Sequence, residues 1–242
     1  LYRNKRRTSV RFFVPVSCLS YQKTEKIPLL LAYIKKKLYL CSEIGGVYVN
    51  YYMKSLEQIR KIEAVVLYVA QKFPCGVDYI KLFKILYFAQ KDYLVAYGKV
   101  LCPDTFKART FGPVPALSDK VIKLVELQDE DIEQYPDLTE FTDSIRIENQ
   151  HVFAKKEPNM DYLSKKECEY LDKWYNFCKD KDSIEELSPE SHDEAYKKAW
   201  ERYNIDPQQG SLTLMEIARA GGASEKMVAY IREKELLTAD YA

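Results

Sequence analysis

Ser191 and His192 are the residues whose types first suggest chemistry, because a hydroxyl beside an imidazole is the raw material of nucleophilic catalysis. Sequence neighbours rarely reach the geometry in which one takes the other's proton, and no Gly-x-Ser-x-Gly turn accompanies them. The spacing Ser191/Glu194 reads instead as a capping box. Ser191 then starts a helix, and His192 in its first turn either hydrogen-bonds across the core or lies on a shared surface. The other histidine, His151, sits in no His-Glu-x-x-His frame. The cysteines (Cys18, Cys41, Cys75, Cys102, Cys168, Cys178) never fall at Cys-x-x-Cys spacing, so a structural metal lacks its usual ligands. They read as reduced thiols of a cytoplasmic protein. With no paired-carboxylate, metal or phosphate-cradle constellation, the chain is expected not to be an enzyme and to need no cofactor.

The bulk numbers agree with a binding protein. The 242 residues are 47% hydrophobic, enough for one sizeable core. Lys plus Arg number 37 against 36 Asp plus Glu, without the positive excess that phosphate-gripping domains usually show. Twenty tyrosines suit contact surfaces, since each brings large area and a polar tip at low entropy cost.

Helix signals dominate the elements that must position these residues. Capping boxes are expected at Ser55/Gln58, Ser164/Glu167, Ser183/Glu186, Ser191/Glu194 and Thr213/Glu216. The first helix, about 55–72, carries Ile59, Ile62, Val66 and Val69 on one stripe. The second, about 78–97, has Phe83, Tyr87, Tyr93 and Tyr97 at helical spacing and Gly98 suited to its C-terminal cap. A small hairpin is expected within Lys99–Thr110, around Cys102-Pro103-Asp104. Gly112-Pro113-Val114 should then turn the chain sharply into a third helix, with Pro115 in its first turn. Residues 129–143 read as an acidic loop and Ser144–Lys155 as a strand pair. Helices return at about 164–180, 183–188, 192–203, 213–219 and 224–236, and Asp161–Glu186 should give a solvated, charge-paired helix face. The class is mostly α with short β-hairpins.

Residues 1–52 differ from the rest. They are basic at the start, aperiodic and free of methionine, and the first methionine, Met53, stands directly ahead of the first helical pattern. They read either as an upstream extension or as a basic arm. Their apolar run, Ile27–Ile34, is too short to span a bilayer.

Lys81 to Gln90, then Tyr97-Gly98, Phe106-Lys107-Ala108, Phe111-Gly112-Pro113-Val114-Pro115 and Ser191-His192 ahead of Tyr196-Lys197-Lys198 form an ordered series. The series resembles the Panacea domain, the SocA-like antitoxin family of phage-associated proteins. Tyr196 stands where that family often has Trp, and Ser118 where it often has Tyr. The resemblance implies an antitoxin over residues 53–205 that neutralises a cognate toxin by direct binding. At least one member of that family is similar to a proteolytic adaptor that delivers its toxin to a protease, so the resemblance implies a protease as a further partner. The implied contact residues are Phe111, Gly112, Pro113, Val114, Ser191, His192 and Tyr196, although the demands of Gly112-Pro113-Val114 also have a purely structural reading.

Residues 206–242 form a final helical pair that resembles a helix-turn-helix, in particular the opening of a MerR-type DNA-binding domain. Ala218 sits at the packed position, Gly222 at the turn and Ser224 ahead of the second helix. Operator DNA would then be met by Lys226 and Arg232. Ala229 replaces a usual arginine, and Glu225, Glu233 and Glu235 oppose phosphate contact, so use of the pair for packing or protein contact is favoured.

Overall fold

The computed structural model describes residues 55–128 and 134–239, and the reading of residues 1–52 lies outside that range. The protein is mostly helical with two small antiparallel sheets. Helix α1 (Leu56–Ala70) opens on the expected Ser55/Gln58 box and buries Ile59, Ile62, Val66 and Val69. Strand β1 (Val77–Asp78) leads into α2 (Tyr79–Tyr97), where the Asp78 side chain accepts from the Lys81 amide at 2.9 Å. Every residue from Leu82 to Gln90 is buried, so α2 is the central helix rather than an amphipathic one. It ends at Gly98, whose φ of 59° is the left-handed cap conformation.

The next elements depart from the sequence reading. The hairpin joins β2 (Phe106–Arg109) to β3 (Gly112–Pro115) through Thr110-Phe111, and does not turn at Cys102-Pro103-Asp104. The Gly112-Pro113-Val114 run is thus a strand. Gly112, at φ 105°, lies beside the tight turn, and Pro113 and Pro115 are tolerated because β3 pairs on one side only among the described residues. Helix α3 (Ala116–Glu126) begins directly after, with Pro115 as N-cap rather than inside the first turn. Proline offers no side-chain cap, and the orphan amides are met from a distance. Buried Asp104 accepts from the amides of Leu117 and Ser118 and from the Ser118 hydroxyl, each at 2.9 Å. This explains the misread loop, because Asp104 marks a cap for a helix twelve residues downstream.

Part of the expected 129–143 loop is helical. A 3-10 turn (Pro136–Leu138) runs into α4 (Thr139–Ser144), which buries Phe141. The pattern was too short to reveal one apolar face. The strand pair is where alternation placed it, as β4 (Ile145–Glu148) and β5 (His151–Ala154), in the order β1-β5-β4.

Helix α5 (Lys165–Cys178) has the expected Ser164/Glu167 box. Its charges are more than a solvated face. Glu167 is buried and accepts from Lys61 at 2.5 Å, Asp172 takes Lys72 at 2.8 Å, and Lys173 pairs with Asp92. They clamp α5 across α1 and α2, with the Trp174 ring 4.7 Å from that of Phe88.

A π-helical turn (Ser183–Leu187) and the short α6 (Ser188–Ser191) follow, then α7 (Glu194–Ile205). The boxes at Ser183 and Ser191 do not form. Asp182, one residue before Ser183, caps the π turn, and Asp193, two residues after Ser191, caps α7, each carboxylate accepting from two free amides. Residues 210–212 bond alongside β2, through Ala108 to the Gly210 carbonyl (2.7 Å) and Leu212 to the Phe106 carbonyl (2.8 Å). Then come α8 (Leu214–Ala220), with the expected Thr213/Glu216 box, and α9 (Glu225–Ala239). Gly222 turns at φ 87° and Ser224 accepts from the Met227 amide, as the helix-turn-helix reading anticipates. Arg202 of α7 grips Glu216 of α8 with both guanidinium nitrogens, at 2.7 and 2.9 Å.

Asp104→Ala should lower the unfolding free energy by about 2–4 kcal/mol, since it strands two buried amides and a hydroxyl. Urea denaturation checks this, and a loss below about 0.5 kcal/mol would remove Asp104 as the cap of α3.

Candidate functional site

Three elements converge on the turn between β2 and β3. The ammonium of Lys84, on α2, donates to the Phe111 carbonyl, and the Ser188 hydroxyl of α6 reaches the same oxygen at 3.1 Å. The Tyr196 hydroxyl of α7 donates to the Arg109 carbonyl at 2.9 Å. Gly112 fills the space between, where a Cβ would overlap the Lys84 ammonium and the Ser191 hydroxyl and approach the His192 ring. A glycine is therefore required twice, by its φ and by its neighbours.

This backbone latch brings together Phe111, Gly112, Ser191, His192 and Tyr196 of the residues singled out in the sequence. Pro113 is buried within β3 and Val114 is half-buried, facing a groove. Lys84 and Ser188 were not singled out. A lone lysine in an otherwise apolar α2 run was the one signal available for Lys84, and Ser188 had none.

Ser191 and His192 do not form a nucleophile and base. The Ser191 hydroxyl is fully buried and donates to the Ser188 carbonyl at 2.8 Å. His192 Nε2 is buried and unbonded, and the ring stacks on Tyr196 with centroids 4.2 Å apart and planes 8° from parallel. The stack continues through Trp200 to Tyr203, where the Arg109 guanidinium lies 5.2 Å over the ring. Burial, then the nearby Lys84 charge, holds the imidazole below its ordinary pKa, with Asp193 opposing both. Asp193 anchors this corner, accepting from the Tyr87 hydroxyl at 2.8 and 2.9 Å, from Lys91 at 2.8 Å and from two α7 amides.

The latch presents the Phe111 side chain outward, 45% exposed, at the lip of a groove of about 270 Å³ between α2, β3 and α3. Tyr79, Ile80, Phe83 and Ile122 supply much of its apolar lining, Asp119, Lys123 and Glu126 stand on the α3 side, and Lys84 and Arg109 line it too. Lys84 is 1% exposed and no carboxylate pairs with it among the described residues, and burial pulls its pKa down to about 7. Among the described residues no cluster of three or more His, Cys, Asp or Glu is placed to hold a metal ion, and no helix is long and apolar enough to cross a membrane.

The span of these contacts, from Lys84 to Tyr196, falls inside one family match. Residues 82–201 match the family model for the antitoxin SocA-like, Panacea domain. Over that span the chain is similar to a Panacea domain. No curated protein and no solved structure matches the chain. The Panacea match runs from α2 into α7, so it takes in the whole latch and leaves α8 and α9 outside. Lys226 and Arg232 are exposed on α9 and apart from the latch. Near that helix, Met227 and Tyr230 pack against Gly98 at the far end of α2, about 20 Å along the helix axis from Lys84.

Gly112→Ala should cost about 2–4 kcal/mol or prevent folding, through the closed φ and the overlap with Lys84 and Ser191. The unfolded chain holds the Lys84 proton up to its ordinary value of 10.5, whereas the folded protein releases it near 7. Between those values the unfolded state binds more protons, so stability rises with pH. Unfolding free energy attributable to Lys84 should grow by roughly 1–2 kcal/mol from about pH 7 to 8.5. Lys84→Met should abolish that increment in urea titrations. An identical pH dependence in the variant would show that Lys84 is not buried as a cation.

Proposed function

We propose that this protein is a cytoplasmic antitoxin of a type II toxin–antitoxin pair, which neutralises its toxin by direct contact at the groove beside Phe111. The observation that carries this reading is an aromatic side chain exposed on backbone that three side-chain donors, Lys84, Ser188 and Tyr196, hold in place. Ordering costs oppose association, and a pre-set anchor beside an apolar groove reduces them. Large aromatic anchors of this kind supply most of the binding energy in protein interfaces. The Panacea match supports the antitoxin class, and the toxin as partner follows from that class. Gly112 and Ser191 serve the contact by shaping the turn, whereas Phe111 and Val114 would meet the toxin themselves. Delivery of the captured toxin to a protease is a finer version of the same reading, and it predicts a shortened toxin half-life when the antitoxin is present.

A second reading is operator binding through Lys226 and Arg232. It is favoured by the turn at Gly222 and the cap at Ser224, and opposed by the acidic residues along α9. Glu225 is already paired with Arg219 at 3.1 Å, which leaves Glu233 exposed beside Arg232. A gel shift with the DNA upstream of the gene, at low salt, tests it, and absence of a shift removes it.

Co-expression with the product of the adjacent open reading frame tests the first reading. The wild type should restore growth, and Phe111→Asp should abolish rescue while leaving the melting temperature within about 2 °C, as expected for an exposed position. Arg232→Glu should rescue fully. Undiminished rescue by Phe111→Asp would move the contact surface elsewhere.

A further inference from the structure

The groove is asymmetric in charge. On the α3 side, Asp119 accepts from Lys123 at 2.6 Å, which makes a closed pair. Burial and then the charges of Glu126 and Asp119 raise the Tyr79 pKa. Lys84 and Arg109 also line the groove, and neither has a carboxylate partner among the described residues. Lys84 donates to the Phe111 carbonyl, which uses one of its three protons. Arg109 reaches the Ala108 carbonyl at 3.2 Å with one nitrogen and otherwise lies over Tyr203. Asp193, which follows His192 in the chain, is already filled by Tyr87, Lys91 and two amides. An unpaired buried ammonium is costly, and a carboxylate brought by a ligand would offset that cost.

We propose that the groove receives a segment of the protein partner in which an apolar side chain enters between Phe83 and Ile122 and an adjacent carboxylate is seated by Lys84 and Arg109. This deepens, and rests on, the reading of the groove as the toxin contact. The size fits: about 270 Å³ holds one or two side chains rather than a folded surface. The charge pattern fits too. Two lining cations without carboxylate partners suit a single anion flanked by apolar atoms, whereas Asp119 and Glu126 in the same lining would repel a run of phosphates, so nucleic acid is disfavoured here. The discrimination is one of charge, because an uncharged amide still offers a carbonyl acceptor but leaves the buried ammonium without a counter-charge.

The probes are phenylpropionate and its uncharged isostere phenylpropanamide, titrated into the isotope-labelled full chain and followed by amide chemical shifts. The acid should shift Lys84, Phe111 and Ile122 and bind about tenfold more tightly than the amide. Lys84→Met, a volume-conserving change, and Arg109→Met should each bring that ratio close to one. Equal binding of acid and amide by the wild type, no binding of either, or shifts confined to other residues would overturn the carboxylate seat. If Phe111→Asp still abolishes rescue while acid and amide bind equally, the groove is the contact surface without such a seat. If both tests fail, the groove is not the contact surface.

Discussion

The carbonyl oxygen of Phe111 accepts a hydrogen bond from the Lys84 ammonium and lies within reach of the Ser188 hydroxyl, which it shares with the Ser183 carbonyl, and the rest of the candidate site depends on that acceptor. A two-residue hairpin turn at the protein surface would ordinarily be free to change conformation. Here a buried lysine from the central helix reaches through to it, and a serine from a helix about eighty residues later closes the other side. The turn thereby becomes part of the interior on its backbone side while its aromatic side chain stays in solvent. Gly112 permits this because no side chain separates the backbone from the lysine and the serines. The cost is a cation with little hydration, and this depresses the Lys84 proton affinity.

The same economy of shared groups holds the surrounding helices. Asp193 caps α7 and at the same time takes the Tyr87 hydroxyl and the Lys91 ammonium, so the helix that carries Tyr196 is fixed to the central helix at its first turn. From there the stacked rings of His192, Tyr196, Trp200 and Tyr203 run to Arg109 at the turn end of the β2–β3 hairpin. The hairpin is thus held at the Phe111 carbonyl, at the Arg109 carbonyl and along β2 by residues 210–212. These contacts explain why elements so far apart in sequence contribute to one small surface.

Most helices were legible because their signals are local. Apolar spacing placed α1 and α2, and the boxes at Ser55, Ser164 and Thr213 form as their spacing implies. The strand pair after Ser144 and the left-handed glycines at 98, 112 and 222 were legible for the same reason. Two kinds of partner account for most of the errors, groups distant in sequence and, at Ser183 and Ser191, a nearby aspartate that takes the free amides. Asp104 looked like the apex of a hairpin and is instead the cap of α3. Ser191 looked like a cap and is a buried hydroxyl under Gly112, because Asp193 takes the amides. The charges of α5 looked solvated and are clamps across α1 and α2. At the site, the ordered motifs from Phe111 to Tyr196 were visible, but their convergence on Lys84 was not, since nothing in the spacing says which carbonyl a buried lysine will reach.

The proposed contact surface is an exposed aromatic on a turn held by Lys84, Ser188 and Tyr196, beside a groove most of whose lining falls within the Panacea match, as the C-terminal pair does not. Hydrogen exchange of the full chain with and without the purified product of the adjacent open reading frame tests this most directly. Slowed exchange should appear in residues 79–84 and 109–126, with 225–239 unchanged. Slowing confined to 225–239, with no change around Phe111, would contradict the account.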